Sequence, residues 1–197
     1  MEKGEIMFIE EYIKQSIAAK QAILENKETV QTIKKVADVI VNAYKNNKKV
    51  LTAGNGGSAA DAQHIAAELV SRFYFDRPGL AAVALTTDTS ILTAVGNDYG
   101  YDMTFSRQVQ ANAQEGDVFI GISTSGNSKN VIAAINEAKN KGVITVGLVG
   151  QKDCKMDDLC DYIIKVPTSD TPKIQESHIM IGHIICAIVE DELFGEK

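Results

Sequence analysis

From residue 49 onward the chain alternates short, almost wholly apolar runs with longer segments of helical periodicity. The runs are Lys49–Ala53 (KVLTA), Ala81–Leu85 (AAVAL), Asp117–Ile122 (DVFIGI), Val143–Val149 (VITVGLV) and Tyr162–Val166 (YIIKV). Continuous rather than alternating hydrophobicity is what strands covered on both faces of a parallel sheet require. The segments near 58–74, 89–110 and 128–141, and a last one near 172–194, read as helices. This alternation predicts an α/β fold, a three-layer αβα sandwich around a five-stranded, mainly parallel sheet.

Two amphipathic helical patterns precede the sheet. Ile6, Ile9, Ile13, Ile17 and Ile23/Leu24 recur at three-to-four spacing, and Val30, Ile33, Val36, Ile40 and Tyr44 do the same. Only three prolines occur, and no Gly/Ser linker cuts the 197 residues. One domain is expected, with an N-terminal helical pair over 1–47 and an α/β core over 48–197. Twenty Lys and Arg against 26 Asp and Glu leave a formal charge of −6, which argues against a nucleic-acid partner. The basic residues within Lys45–Lys49 end a helix, where they complement its dipole. Acidic residues interrupt the N-terminal apolar ones, so no signal peptide is expected. No stretch approaches the ~18 apolar residues of a membrane span. Cys154, Cys160 and Cys186 form no C-x-x-C pair and read as reduced thiols, so the cytoplasm is the expected compartment.

In an open parallel sheet, ligands bind beyond the carboxyl ends of the strands, and two loops there are unusual. The first, Gly54-Asn55-Gly56-Gly57-Ser58-Ala59, follows the first strand and opens a helix, so backbone N–H groups and the helix start can meet an anion. It lacks the Lys-Ser/Thr ending of a Walker loop. A phosphate or sugar site, a nucleotide site with Asp88 as a late ribose acid, and a plain tight turn all remain compatible with it. The second, Ser123-Thr124-Ser125-Gly126-Asn127-Ser128, offers four hydroxyls and a glycine before another helix. Such a cradle suits an anion that the protein's net charge does not attract, although a serine N-cap alone would also use it. His64 and Glu68 stand i, i+4 on one helical face. Gln175 and His183, eight apart, lie within roughly 80° of each other around a helix. His178 points about 140° away from His183 and reads as structural.

In this order, Gly54–Phe73 (GNGGSAADAQHIAAELVSRF), Val95–Asp98 (VGND), Gly121–Ser128 (GISTSGNS) and Ile174–His178 (IQESH) with His183 resemble the bacterial phosphoheptose isomerases of the sugar isomerase (SIS) domain family. The likeness runs over nearly the whole chain. It implies an aldose–ketose isomerase that interconverts sedoheptulose 7-phosphate and D-glycero-D-manno-heptose 7-phosphate, the first step towards activated heptose for lipopolysaccharide core or capsule. It also implies a homotetramer. By position, Ser123, Thr124, Ser125 and Ser128 would hold the phosphate. Asn55, Gly56, Gly57 and Ser58, with Asn97, Asp98, Glu68 and Gln175, would hold the sugar. Glu68 and His183 match the family's acid–base pair, and His64, Glu68, Gln175 and His183 match its zinc ligands. Relatives can carry His-Cys where this chain has Ala59-Ala60. The resemblance also brings a rival, a non-catalytic SIS-domain tetramer that binds the replication initiator but lacks the glutamate and the final histidine. This chain has both, which favours the enzyme. Sugar-phosphate sensors of the family usually append a DNA-binding domain, and none is expected in these 197 residues.

Overall fold

The chain's local signals place its elements before any long-range contact is considered. Asn26 breaks the N-terminal helical stretch, its side chain accepting the Thr29 N–H at 3.1 Å to cap a second helix. The result is α1 (Lys3–Glu25) followed by α2 (Lys27–Lys45). The structure, a computed structural model, describes residues 3–196, so the outermost residues of the expected 1–197 span lie outside the description.

Then come β1 (Val50–Gly54), α3 (Gly57–Val70), β2 (Ala82–Ala84), α4 (Thr89–Tyr99), a single 3-10 turn (Tyr101–Met103), α5 (Thr104–Asn112) and β3 (Val118–Ile122). The chain continues through α6 (Lys129–Asn140), β4 (Ile144–Val149), β5 (Tyr162–Lys165) and α7 (Thr171–Phe194). The strands lie in the order β2-β1-β3-β4-β5. Every pairing is parallel, where the sequence predicts a mainly parallel sheet. One apolar layer packs α2, α3 and α7 on one face through Ile40, Ile65, Leu69, Ile181 and Ile185. The other packs α5 and α6 through Phe105, Val109, Val131 and Ile135. At ~1.5–3 kcal/mol for each fully buried large apolar side chain, these two layers dominate the stability.

Two expectations change. The single helix near 89–110 is broken into α4 and α5. Its apolar period runs on from Val95 to Phe105 and Val109, but Gly100 adopts φ 89°, a backbone that ends the helix. The helix near 58–74 stops at Val70, because residues 71–80 turn back to reach the edge strand β2. Asp88, the late candidate for a ribose acid, instead accepts the Ile91 N–H at 2.9 Å and caps α4.

The sheet reverses direction of growth at β1: the chain adds β2 on one side and then β3 on the other. Gly54 is level with Ile122 in the parallel register, so the loops after β1 and β3 emerge side by side at this switch point. Lys49 ion-pairs at 2.7 Å with the buried Asp117 at the opposite, amino end. The cysteines are unbridged. Among the described residues no helix is long and apolar enough to cross a membrane.

His178 is fully buried, and its Nε2–H donates to the carbonyl of Val149 at 3.2 Å. Burial lowers its pKa to about 4, opposed by that hydrogen bond. The folded protein thus keeps this ring neutral, while the unfolded chain protonates it below the ordinary value of 6.5. Stability from this group is complete above pH 6.5 and is lost as pH falls towards 4, by roughly 3 kcal/mol in all. Urea unfolding at pH 7.5 and pH 5 should show the decline in the wild-type protein and a flatter profile in His178→Leu.

Candidate functional site

The loop after β1 is held by a reciprocal amide pair. Asn55 Nδ2 donates to Asn130 Oδ1 at 2.9 Å, and Asn130 Nδ2 returns the bond to Asn55 Oδ1 at 2.9 Å. Tyr101 Oη donates to the same Asn55 oxygen at 3.0 Å. Asn130 is buried and is the second residue of α6, so this bond ties the β1 loop to the end of the β3 loop. Neither Asn130 nor Tyr101 carries any spacing signal in the sequence. Gly56 takes φ 56° as the chain turns into α3. Ser58 is buried against Gly54, inside the fold.

In the loop after β3 three hydroxyls converge. Ser123 Oγ lies 2.8 Å from Ser128 Oγ and 3.4 Å from Ser125 Oγ. Ser128 stands at the N-cap of α6, yet its side chain makes no capping bond, which leaves the hydroxyl turned to the cluster. Gly126 has φ 63°, and a Cβ there would lie 2.1 Å from Cys154 Sγ, so the loop tip is clamped against the segment that leads to β5. A cleft of about 260 Å³ opens beside it, lined by Thr124, Ser125, Asn127, Gly150, Lys152 and Thr168.

The third group forms where α3 and α7 run parallel. His64 Nε2 lies 3.0 Å from Glu68 Oε1 and 3.2 Å from His183 Nε2. The imidazoles are tilted by 60° with centroids 4.9 Å apart, and Phe73 packs on His183 at 5.6 Å. One proton on His64 Nε2 cannot serve both neighbours well. The three ligand atoms all lie within 4.8 Å of one another. Donors around a tetrahedral zinc with bonds of ~2.0–2.1 Å stand about 3.3 Å apart. The imidazole–carboxylate set therefore fits a divalent cation in both donor type and spacing.

Gln175 faces the same helix higher up. Its carboxamide rests on Gly57, where a Cβ would lie 2.5 Å from Nε2. By helix rise this residue stands about 12 Å along α7 from His183. Between them, on the α3 face, lies Asp61, which the sequence reading passed over. Its Oδ2 has no hydrogen-bond partner among the described residues. Burial pushes its pKa up to about 6, with His64 pulling the other way. An i, i+3 spacing to His64 was the available clue. Asn97 and Asp98 sit exposed on the last turn of α4, Asn97 Nδ2 donating to Asp98 Oδ1 at 2.9 Å. Among the described residues no hydrogen bond joins that pair to the other candidates.

A parallel sheet with a hydroxyl cradle at its switch point, and a carboxylate–imidazole cluster on the helices packed over one face, has the architecture of an enzyme for a small polar ligand. The sequence model of the SIS domain family matches residues 11–150. The phosphoheptose isomerase of Aneurinibacillus thermoaerophilus is 63% identical over 96% of both chains. That of Burkholderia pseudomallei strain K96243 is 56% identical over the full length of both. The solved phosphoheptose isomerase of Francisella tularensis superposes with a TM-score of 0.91 at 34% identity, over 95% of this chain and 98% of that one. The chain thus belongs to the phosphoheptose isomerases, a family of SIS-domain isomerase enzymes.

Gly57 yields a test of the upper part of the site. The atom its Cβ would strike is the end of a flexible side chain, so Gly57→Ala should fold with a melting temperature within a few degrees of wild type. The Gln175 carboxamide should be displaced, which a crystal structure of the variant would reveal. An unmoved Gln175 would contradict the packing described.

Proposed function

We propose that this protein interconverts sedoheptulose 7-phosphate and D-glycero-D-manno-heptose 7-phosphate, and so opens a route to activated heptose for lipopolysaccharide core or capsule in the cytoplasm. The observation that carries the reading is the His64–Glu68–His183 cluster on α3 and α7, with contacts of 3.0 and 3.2 Å, in a chain whose strand ends also bear the serine cradle. The names and high identity of the relatives above support the choice of substrate.

On this reading the Ser123, Thr124, Ser125 and Ser128 hydroxyls, with the start of α6, bind the phosphate by aligned dipoles. Asn55, fixed by Asn130 and Tyr101, and the Gly56–Gly57 backbone meet sugar hydroxyls, helped by Gln175, Asn97 and Asp98. Glu68 removes a proton from C1 of the ketose and returns it to C2 of the enediol, giving the aldose. His183 moves the balancing proton from the C1 hydroxyl to the C2 oxygen. Zinc, held by His64, Glu68 and His183, would supply Lewis-acid polarisation of the substrate oxygens, whereas Gln175, the fourth ligand that the resemblance implies, rests on Gly57 away from these three. The exposed apolar residues of α1, among them Met7, Phe8, Ile13 and Ile17, support a homotetramer in which these helices pack between subunits.

The isomerase assay with sedoheptulose 7-phosphate, with fructose 6-phosphate as a length control, is the direct test. Glu68→Gln should lower the rate by at least ~100-fold, the lower end for acid–base catalysis. Wild-type turnover in that variant would remove the assigned role. Elemental analysis and assay before and after chelation should show zinc lost together with activity. Light scattering of the same sample should report four times the 21.3 kDa chain mass.

A further inference from the structure

The segment after α3 contains an ion pair sequestered from solvent. Arg77 and Glu190 are 2% and 1% exposed in their side chains and meet at 2.9 Å, Arg77 Nε donating to Glu190 Oε2. Arg77 also folds back over the end of α3. Its Nη2 donates to the carbonyl of Glu68 at 2.9 Å, and its Nη1 donates to those of Leu69 at 2.8 Å and Ser71 at 3.2 Å. These are the carbonyls that a helix C-terminus leaves without partners. Glu190 accepts the backbone N–H groups of Phe73 at 2.7 Å, Tyr74 at 2.6 Å and Phe75 at 3.3 Å. Burial pushes the Glu190 carboxyl up, but those three N–H groups and the guanidinium outweigh it and hold it below its usual value of 4.5.

The partners of this pair connect it to the site. Arg77 binds the carbonyl of Glu68 itself. Glu190 lies two helical turns beyond His183 on α7, on nearly the same face, and holds the amide of Phe73, whose ring packs on His183 at 5.6 Å. The pair joins the two helices on which the cluster is divided. Buried ion pairs are poor stabilisers, because desolvation offsets their attraction and apolar replacements often serve stability as well. What a guanidinium fork with fixed donor directions adds is geometry.

We propose that Arg77 and Glu190 are positioning residues that set the Glu68 carboxylate and the His183 imidazole in register across α3 and α7. The inference rests on the acid–base reading of that cluster, and it touches no substrate atom directly. With either partner altered, the helices remain packed through Ile65, Leu69, Ile181 and Ile185 while the cluster loosens.

The test compares wild type with Arg77→Lys, which keeps the buried charge but loses the fork, and with the double variant Arg77→Met/Glu190→Leu, which removes both charges together. Each folded variant should show kcat lowered at least 10-fold with KM within about threefold. The His183 imidazole resonances in NMR spectra should be displaced, a readout independent of turnover. Wild-type kcat and unmoved His183 resonances in a folded variant would overturn the proposal. So would a fall in thermal stability and activity with His183 unmoved, the mark of a purely structural pair. If the double variant does not fold, Arg77→Lys decides by the same criteria. Glu68→Gln assayed in parallel separates the two ideas. Full activity there removes the acid–base reading, whereas inactivity there with an unaffected Arg77→Lys removes only the positioning role.

Discussion

The close parallel packing of α3 against α7 is the constraint on which the site depends. The two helices grow from strands on opposite sides of β3, β1 and the far edge strand β5, and they meet because α7 crosses back over the sheet. Ile65 lies so near Gly182 that a Cβ there would be 2.7 Å from it, and Cys186 Sγ reaches the Ile65 carbonyl at 4.0 Å. Gln175 meets Gly57 above this contact, His183 meets His64 beside it, and Glu190 meets Phe73 below it. Two imidazoles and a carboxylate at the surface gain at most about 1 kcal/mol from assembling on their own. The apolar seam beneath them supplies the cohesion, and the polar groups are carried into place by it.

The second organising feature is the switch point between β1 and β3. Because the parallel register sets Gly54 level with Ile122, the glycine loop and the serine loop start from the same height. The Asn55–Asn130 amide pair then fixes their separation. A formal charge of −6 is compatible with an anion at this edge. Aligned hydroxyl and backbone dipoles act at short range, where the long-range field of scattered surface carboxylates is screened beyond roughly 8–10 Å.

Much of this was readable beforehand. The five apolar runs became the five strands to within a residue or two; for the central β1, β3 and β4, a strand buried on both faces admits little else. The i, i+4 relation of His64 and Glu68 follows from helix geometry alone. Periodicity misled at Gly100, because the apolar repeat continues through the break and only the backbone reversal there separates α4 from α5. Asp88 was read as a possible ribose acid, whereas a local hydrogen bond to Ile91 makes it a cap. Asn130, Tyr101, Asp61 and the Arg77–Glu190 pair left little or no trace. The bonds of Asn130 and Tyr101 to Asn55 and of Arg77 to Glu190 span 75, 46 and 113 residues, beyond the reach of any local pattern.

The sequence by itself determined the elements, their order, the two loops and the helical faces of the polar residues. All of these follow from short continuous apolar runs, from the 3.6-residue helical period and from the backbone preferences of glycine, asparagine and proline, which act within a few residues. The tertiary structure decided which faces meet. That His183 comes to His64 across 119 residues, that Gln175 sits on Gly57, and that Glu190 gathers the segment after α3 are outcomes of sheet order and of the single way α7 can bury its apolar side. Contacts of this kind depend on the summed burial of the whole core, which no local pattern records.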